Sequence, residues 1–152
     1  QLHTFGRVRR LFALEPSGAA TDLTGALRAA GALLTRRSLV VVLSDFLARG
    51  WEVPLKGLAA RHEVTAIALE DARETRLPRS GWVTLVGAEQ GRSVLFDAAD
   101  AGARARVQAL VARNRAARSA AIAAAGEREV VIDTAGDYLP ALRAAFGKGK
   151  SR

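Results

Sequence analysis

Cysteine and methionine are both absent from the 152 residues. Without thiols the chain has no disulfide, no zinc–thiolate site and no cysteine nucleophile. Aromatic residues make up only 5% of the chain, so it carries few platforms on which nucleic-acid bases could stack. Lysine is scarce, with Lys56, Lys148 and Lys150 the only three among 23 basic residues. No apolar run approaches the ~20 residues that span a bilayer, and no signal peptide opens the chain. With no methionine even at position 1, and a start at Gln1 inside a patterned region, the chain reads as a processed or truncated piece of a longer protein. Half of a site is then expected outside it, and a membrane anchor could precede it. Cysteine-free composition fits the cytoplasm or the cytoplasmic face of the membrane.

What is present fits one globular domain. Apolar residues account for 49% and charged residues for 25% of the chain, ordinary values for a packed α/β protein. The net charge of +8 raises the question of a nucleic-acid partner. Arginines spread through Ala-rich segments with few aromatics fit solvated surface better, so no nucleic acid is expected. Residues 147–152 (GKGKSR) read as a flexible basic tail after a domain spanning 1–146.

The apolar run Leu39 to Leu43 leads directly into Ser44-Asp45-Phe46. Its β-branched content predicts a strand buried on both faces, as in a parallel sheet between helices. Residues 63–69 and 129–132 predict two more such strands. Residues 82–86 and 92–96 predict a hairpin around Gly87 to Gly91. Residues 1–15 suggest two short strands, and Pro16-Ser17-Gly18 a turn. Apolar spacing predicts a helix over 22–35 capped by Thr21 or Asp22, and others over 53–60, 98–125 and from Asp137 to about Phe146. Gly126 supplies a stop for the longest. This alternation gives an α/β domain with a mainly parallel, Rossmann-like sheet flanked by helices.

Ligands of such sheets sit beyond the carboxyl ends of the strands. Asp45, Asp71 and Asp133 (with Thr134) fall there, and Ser17, Thr21 and Asp22 lie in the turn before the first long helix. Such oxygens suit a hard cation like magnesium. Helix capping by Thr21-Asp22 and a strand-ending turn at Asp45 explain the same residues without a ligand. Asp71 and Glu74 read as a solvated loop, His3 and His62 as surface residues. Trp51 and Trp82 read as core, with Trp51 and Phe46 also placed to form a partner surface.

The string Thr21-Asp22-Leu23-Thr24-Gly25-Ala26-Leu27, a helix, and then LVVVLSDF at 39–46 resembles the second half of a von Willebrand factor A domain. More narrowly, the chain resembles the bacterial family called domain of unknown function 58, often encoded beside MoxR-type AAA+ ATPases. Leu58-Ala59-Ala60-Arg61-His62-Glu63-Val64 matches its helix-to-strand passage. Asp71, Glu74, Leu77, Pro78 and Gly81 match its acidic-to-Leu-Pro segment. Gly87-Ala88-Glu89-Gln90-Gly91 matches its Asp-x-Glu-Thr-Gly turn, with departures at Gly87 and Gln90.

The resemblance implies a non-enzymatic interaction module. A magnesium ion in a metal-ion-dependent adhesion site would there complete its coordination with a partner's carboxylate. It implies Thr21 and Asp45 as metal ligands, with Ser44 and Asp22 supporting their loops. The Asp-x-Ser-x-Ser ligands, and the first strand that carries them, are missing from this chain, so weak or no magnesium binding is expected from it alone. The implied partner is a MoxR-type ATPase or its client. The strand at 39–44 would have an unpaired side, which invites self-association. A hydrolase or phosphotransferase using Asp45 as nucleophile is the competing reading. It lacks the second acid such chemistry needs near Asp45.

Overall fold

In the computed structural model, residues 21–72, 77–86 and 93–147 are described. The expected strands in 1–15, the turn at 16–18, Ser17, Glu74, the 87–91 turn and the tail beyond Gly147 lie outside them. Helix α1 (Leu23–Leu33) precedes strand β1 (Leu39–Ser44). Helix α2 (Glu52–Ala59) and strand β2 (Glu63–Glu70) follow. Strands β3 (Trp82–Val86) and β4 (Ser93–Asp97) come next. Helix α3 (Ala101–Ala124), strand β5 (Glu129–Asp133) and helix α4 (Leu139–Phe146) complete the order.

β1, β2 and β5 form a parallel sheet in the order β1-β2-β5, while β3 and β4 pair antiparallel as a separate hairpin. The chain is thus a mixed α/β domain with a three-stranded parallel sheet flanked by helices. Its register sets Leu39 beside Glu63, Val42 beside Ala66 and Ser44 beside Ala68, then Ala66 beside Glu129 and Glu70 beside Asp133.

One face of the sheet carries the core. Val40, Val42, Val64, Ala66 and Ala68 point toward helices and meet Leu23, Leu27, Leu55, Leu58 and Ile122. The two alanines of β2 are fully buried; short side chains there let helices approach the sheet closely. α1 starts where Asp22 accepts a hydrogen bond from the Gly25 N–H at 2.7 Å, the capping that its sequence predicts. α3 ends at Gly126, whose φ of +81° suits glycine. Asp137 likewise accepts from the Leu139 N–H at 3.0 Å at the start of α4.

Three expectations are corrected here. β1 is not buried on both faces: Leu39, Val41 and Leu43 are 57%, 40% and 61% exposed. The reason is non-local: the helices that pack on β1 cover the face of Val40 and Val42, and among the described residues nothing covers the face that carries the other three. His62 is a buried residue, 4% exposed, because it follows α2 directly and is carried under it into β2. Trp82 belongs to the hairpin and is exposed, not core.

Candidate functional site

β1 delivers Ser44 and Asp45 to the carboxyl-terminal edge of the sheet. There the chain turns sharply. The Ser44 hydroxyl accepts from the Phe46 N–H at 3.0 Å, and Asp45 Oδ1 accepts from the Leu47 N–H at 3.1 Å. Phe46 adopts φ +56°, a left-handed conformation that costs a non-glycine residue on the order of 1 kcal/mol. Burial of its ring holds it there, edge-on to Trp51 with centroids 4.9 Å apart. Phe46 and Trp51 are therefore core residues, which removes them as a partner surface; the turn folds both rings under the loop instead of outward.

The first turn of α1 meets this loop. The Thr24 hydroxyl donates to the Arg49 carbonyl at 3.2 Å, and Gly50, at φ +80°, lies against the same hydroxyl. Thr21 and Asp22, three and two residues before Thr24 in the chain, are exposed, as is Asp45. Asp22 is engaged by its cap and Asp45 by its Asx turn. Among the described residues no three His, Cys, Asp or Glu side chains gather as a metal-binding group. At the far strand end, Asp133 Oδ1 accepts from the Ala135 N–H at 2.9 Å, and the Thr134 N–H donates to the Glu70 carbonyl at 2.8 Å.

Behind the Asp45 turn lies a cleft of about 60 Å³, walled by Asp45, Leu47, Leu69, Glu70 and the Asn114–Arg118 segment of α3. It abuts a second hollow of about 250 Å³ that adds Arg49, Glu52 and Ala117. Phe46, Leu47, Asn114 and Arg118 line both. The last of these, Arg118, is the most constrained. Its side chain is 9% exposed, and its guanidinium bonds Glu70 at 2.5 Å and also Glu129. Arg115 reaches the other Glu70 oxygen at 2.6 Å, and the Ser119 hydroxyl donates to Glu129. Burial opposes the charge on Arg118, but the hydrogen bonds to Glu70 and Glu129 outweigh it and hold the guanidinium above its ordinary range. Sequence reasoning missed this network. Arg118 sits among many similar arginines of α3, and only its position four residues before the buried Ile122 hints that it faces inward.

The fold and site together define an α/β domain with a parallel sheet and a polar cleft beyond its strand ends. Comparison with known proteins gives the family. The model of the family described as protein of unknown function DUF58 matches residues 1–117, and the chain belongs to that family. Uncharacterized proteins of Mycobacterium bovis and Mycobacterium tuberculosis are each 41% identical over 90 residues, covering 59% of this chain and 28% of theirs. An uncharacterized protein of Mycobacterium avium is 44% identical over 77 residues, covering 50% of this chain and 46% of its own. The chain thus spans less than half the length of the relatives it matches. No solved structure matches it. No helix among the described residues is long and apolar enough to cross a membrane.

Proposed function

We propose that the domain is a protein-interaction module of von Willebrand A type. In this reading Thr21 and Asp45 give oxygen ligands to a magnesium ion, while Ser44 and Asp22 shape the loops that present them. A carboxylate of the partner, a MoxR-type AAA+ ATPase or its client, completes the coordination, and no covalent chemistry is performed on it. The observation that supports the reading is the Thr24–Arg49 hydrogen bond, which ties the first turn of α1, just after Thr21, to the loop that follows Asp45.

The donor chemistry fits a hard cation in part. A threonine hydroxyl and an exposed carboxylate suit magnesium, which accepts few protein ligands and keeps several waters. One oxygen of Asp45 is turned to the Leu47 N–H, which fixes the carboxylate's orientation. The remaining positions would fall to water, to the partner and to donors outside the described residues. Affinity of this chain alone is accordingly weak. Isothermal titration with magnesium tests this: heats consistent with weak binding, removed by Asp45→Ala, are expected. Tight binding, or binding unchanged by Asp45→Ala, would refute the assignment of a partial site.

A further inference from the structure

The cleft behind Asp45 holds a second carboxylate. Glu70 ends β2 and lines the same hollow of about 60 Å³ as Asp45. Arginines of α3 take both of its oxygens, Arg115 at 2.6 Å on Oε2 and Arg118 at 2.5 Å on Oε1. Both arginines line the hollow as well. We infer that Glu70 is a further acidic group of the proposed cation edge, and that Arg115 holds its charge in check. The inference rests on the cation reading above and names what sets the affinity of that edge.

The strand ends bring the two acids to one place. Ser44 pairs with Ala68 in the parallel register; Asp45 follows Ser44 directly, and Glu70 lies two residues beyond Ala68. The charges lining the cleft then cancel, two acids against two arginines. A divalent ion meets Asp45 there but no net negative charge, and affinity for such ions follows the charge count of the site.

The two arginines are not equivalent. Arg118 is 9% exposed and also bonds Glu129, so it belongs to the buried tie between β2, β5 and α3. Arg115 is 33% exposed and can be withdrawn without breaking that tie. Its withdrawal leaves Glu70 with one oxygen on Arg118 and the other released. The cleft gains one net negative charge, and the released oxygen acts on the cation directly or through one of the waters that magnesium keeps. A partner's carboxylate that drew Arg115 away would have the same effect, so partner and cation would each tighten the other. Were the pair only a brace for α3, losing either member would loosen the Asp45 turn and weaken cation binding alike. The sign of the change therefore separates the two roles.

The test is a manganese titration of the 152-residue chain at low ionic strength, read by water-proton relaxation, with circular dichroism to verify folding. In water-like surroundings a unit charge roughly 10 Å from a divalent ion changes its binding about fourfold. Arg115→Met is expected to tighten manganese by about that factor, and Glu70→Gln to weaken it by about as much. The double variant removes one charge of each sign and should return to within about twofold of wild type. Arg113→Met removes an exposed charge of the same helix that does not line the cleft, and should also stay within about twofold. An Arg115→Met chain that binds no tighter than wild type, or no tighter than Arg113→Met, overturns the inference and leaves the cation reading standing. That comparison decides even where Glu70→Gln fails to fold. Wild-type binding that Asp45→Ala leaves unchanged overturns the cation reading and this inference with it.

Discussion

The Arg118 network gives the sharpest energetic prediction. Arg118, Glu70 and Glu129 have side chains 9%, 15% and 12% exposed, so their charges sit where water screens poorly. Arg118→Met keeps the length and apolar stem of the side chain but leaves two buried carboxylates short of a partner. Glu70 retains Arg115, and among the described residues Glu129 retains the Ser119 hydroxyl. Breaking a buried pair from one side costs about 3–5 kcal/mol, and the surviving Arg115 contact places this case near 3 kcal/mol. For a chain of this size that lowers Tm by roughly 6–12 °C. Glu129→Gln, which removes a charge from the same contact, should cost about 2 kcal/mol. Because both variants break one interaction, the double variant should cost little more than Arg118→Met alone, a coupling of about 1.5 kcal/mol or more. Urea unfolding with unchanged m-values measures all three. Costs that simply add, or an Arg118→Met loss below about 1 kcal/mol, would refute the view that Arg118 is the buried tie between β2, β5 and α3.

Two further predictions concern groups outside that network. Both ring nitrogens of His62 are buried without a hydrogen-bond partner among the described residues. His62→Leu removes those unmet groups and should raise stability by about 1–2 kcal/mol in thermal unfolding, whereas a loss would mean the imidazole is satisfied in solution. The N–H groups of Ala103 and Gly102 hold the Asp100 carboxyl below its ordinary value of 3.8. A depressed folded value means that this contribution is present above the ordinary value and is lost as pH falls through the folded one. Asp100→Asn should therefore lie below wild type in Tm near neutral pH and converge with it in acid; a gap that persists at low pH would contradict the capping argument.

Much of the fold was legible because it is written in local pattern. The run at 39–43 and the alternating apolar stretch at 63–69 gave β1 and β2 nearly to the residue, and Asp22 and Gly126 marked the ends of helices they bound. Features set by distant neighbours were not legible. Whether one or both faces of β1 are covered depends on which helices pack on the sheet, and Leu39, Val41 and Leu43 look alike in either case. His62 resembles a surface residue until α2 is seen to carry it inward. Trp51 read as core or as contact surface and Phe46 as contact surface; the left-handed turn at Phe46, which no glycine announces, buries both. Thr21 and Asp45 were legible as candidate ligands through resemblance. The Thr24–Arg49 contact that ties their loops needed the folded chain.

The proposed cation edge is tested most directly by paramagnetic line broadening. Manganese, a stand-in for magnesium, is added to the isotopically labelled chain while backbone amides are followed by NMR. The account predicts broadening confined to Thr21–Thr24 and Asp45–Leu47, reversed by excess magnesium and abolished by Asp45→Ala. Broadening centred instead on Asp133, or spread over the surface without regard to Asp45, would contradict it.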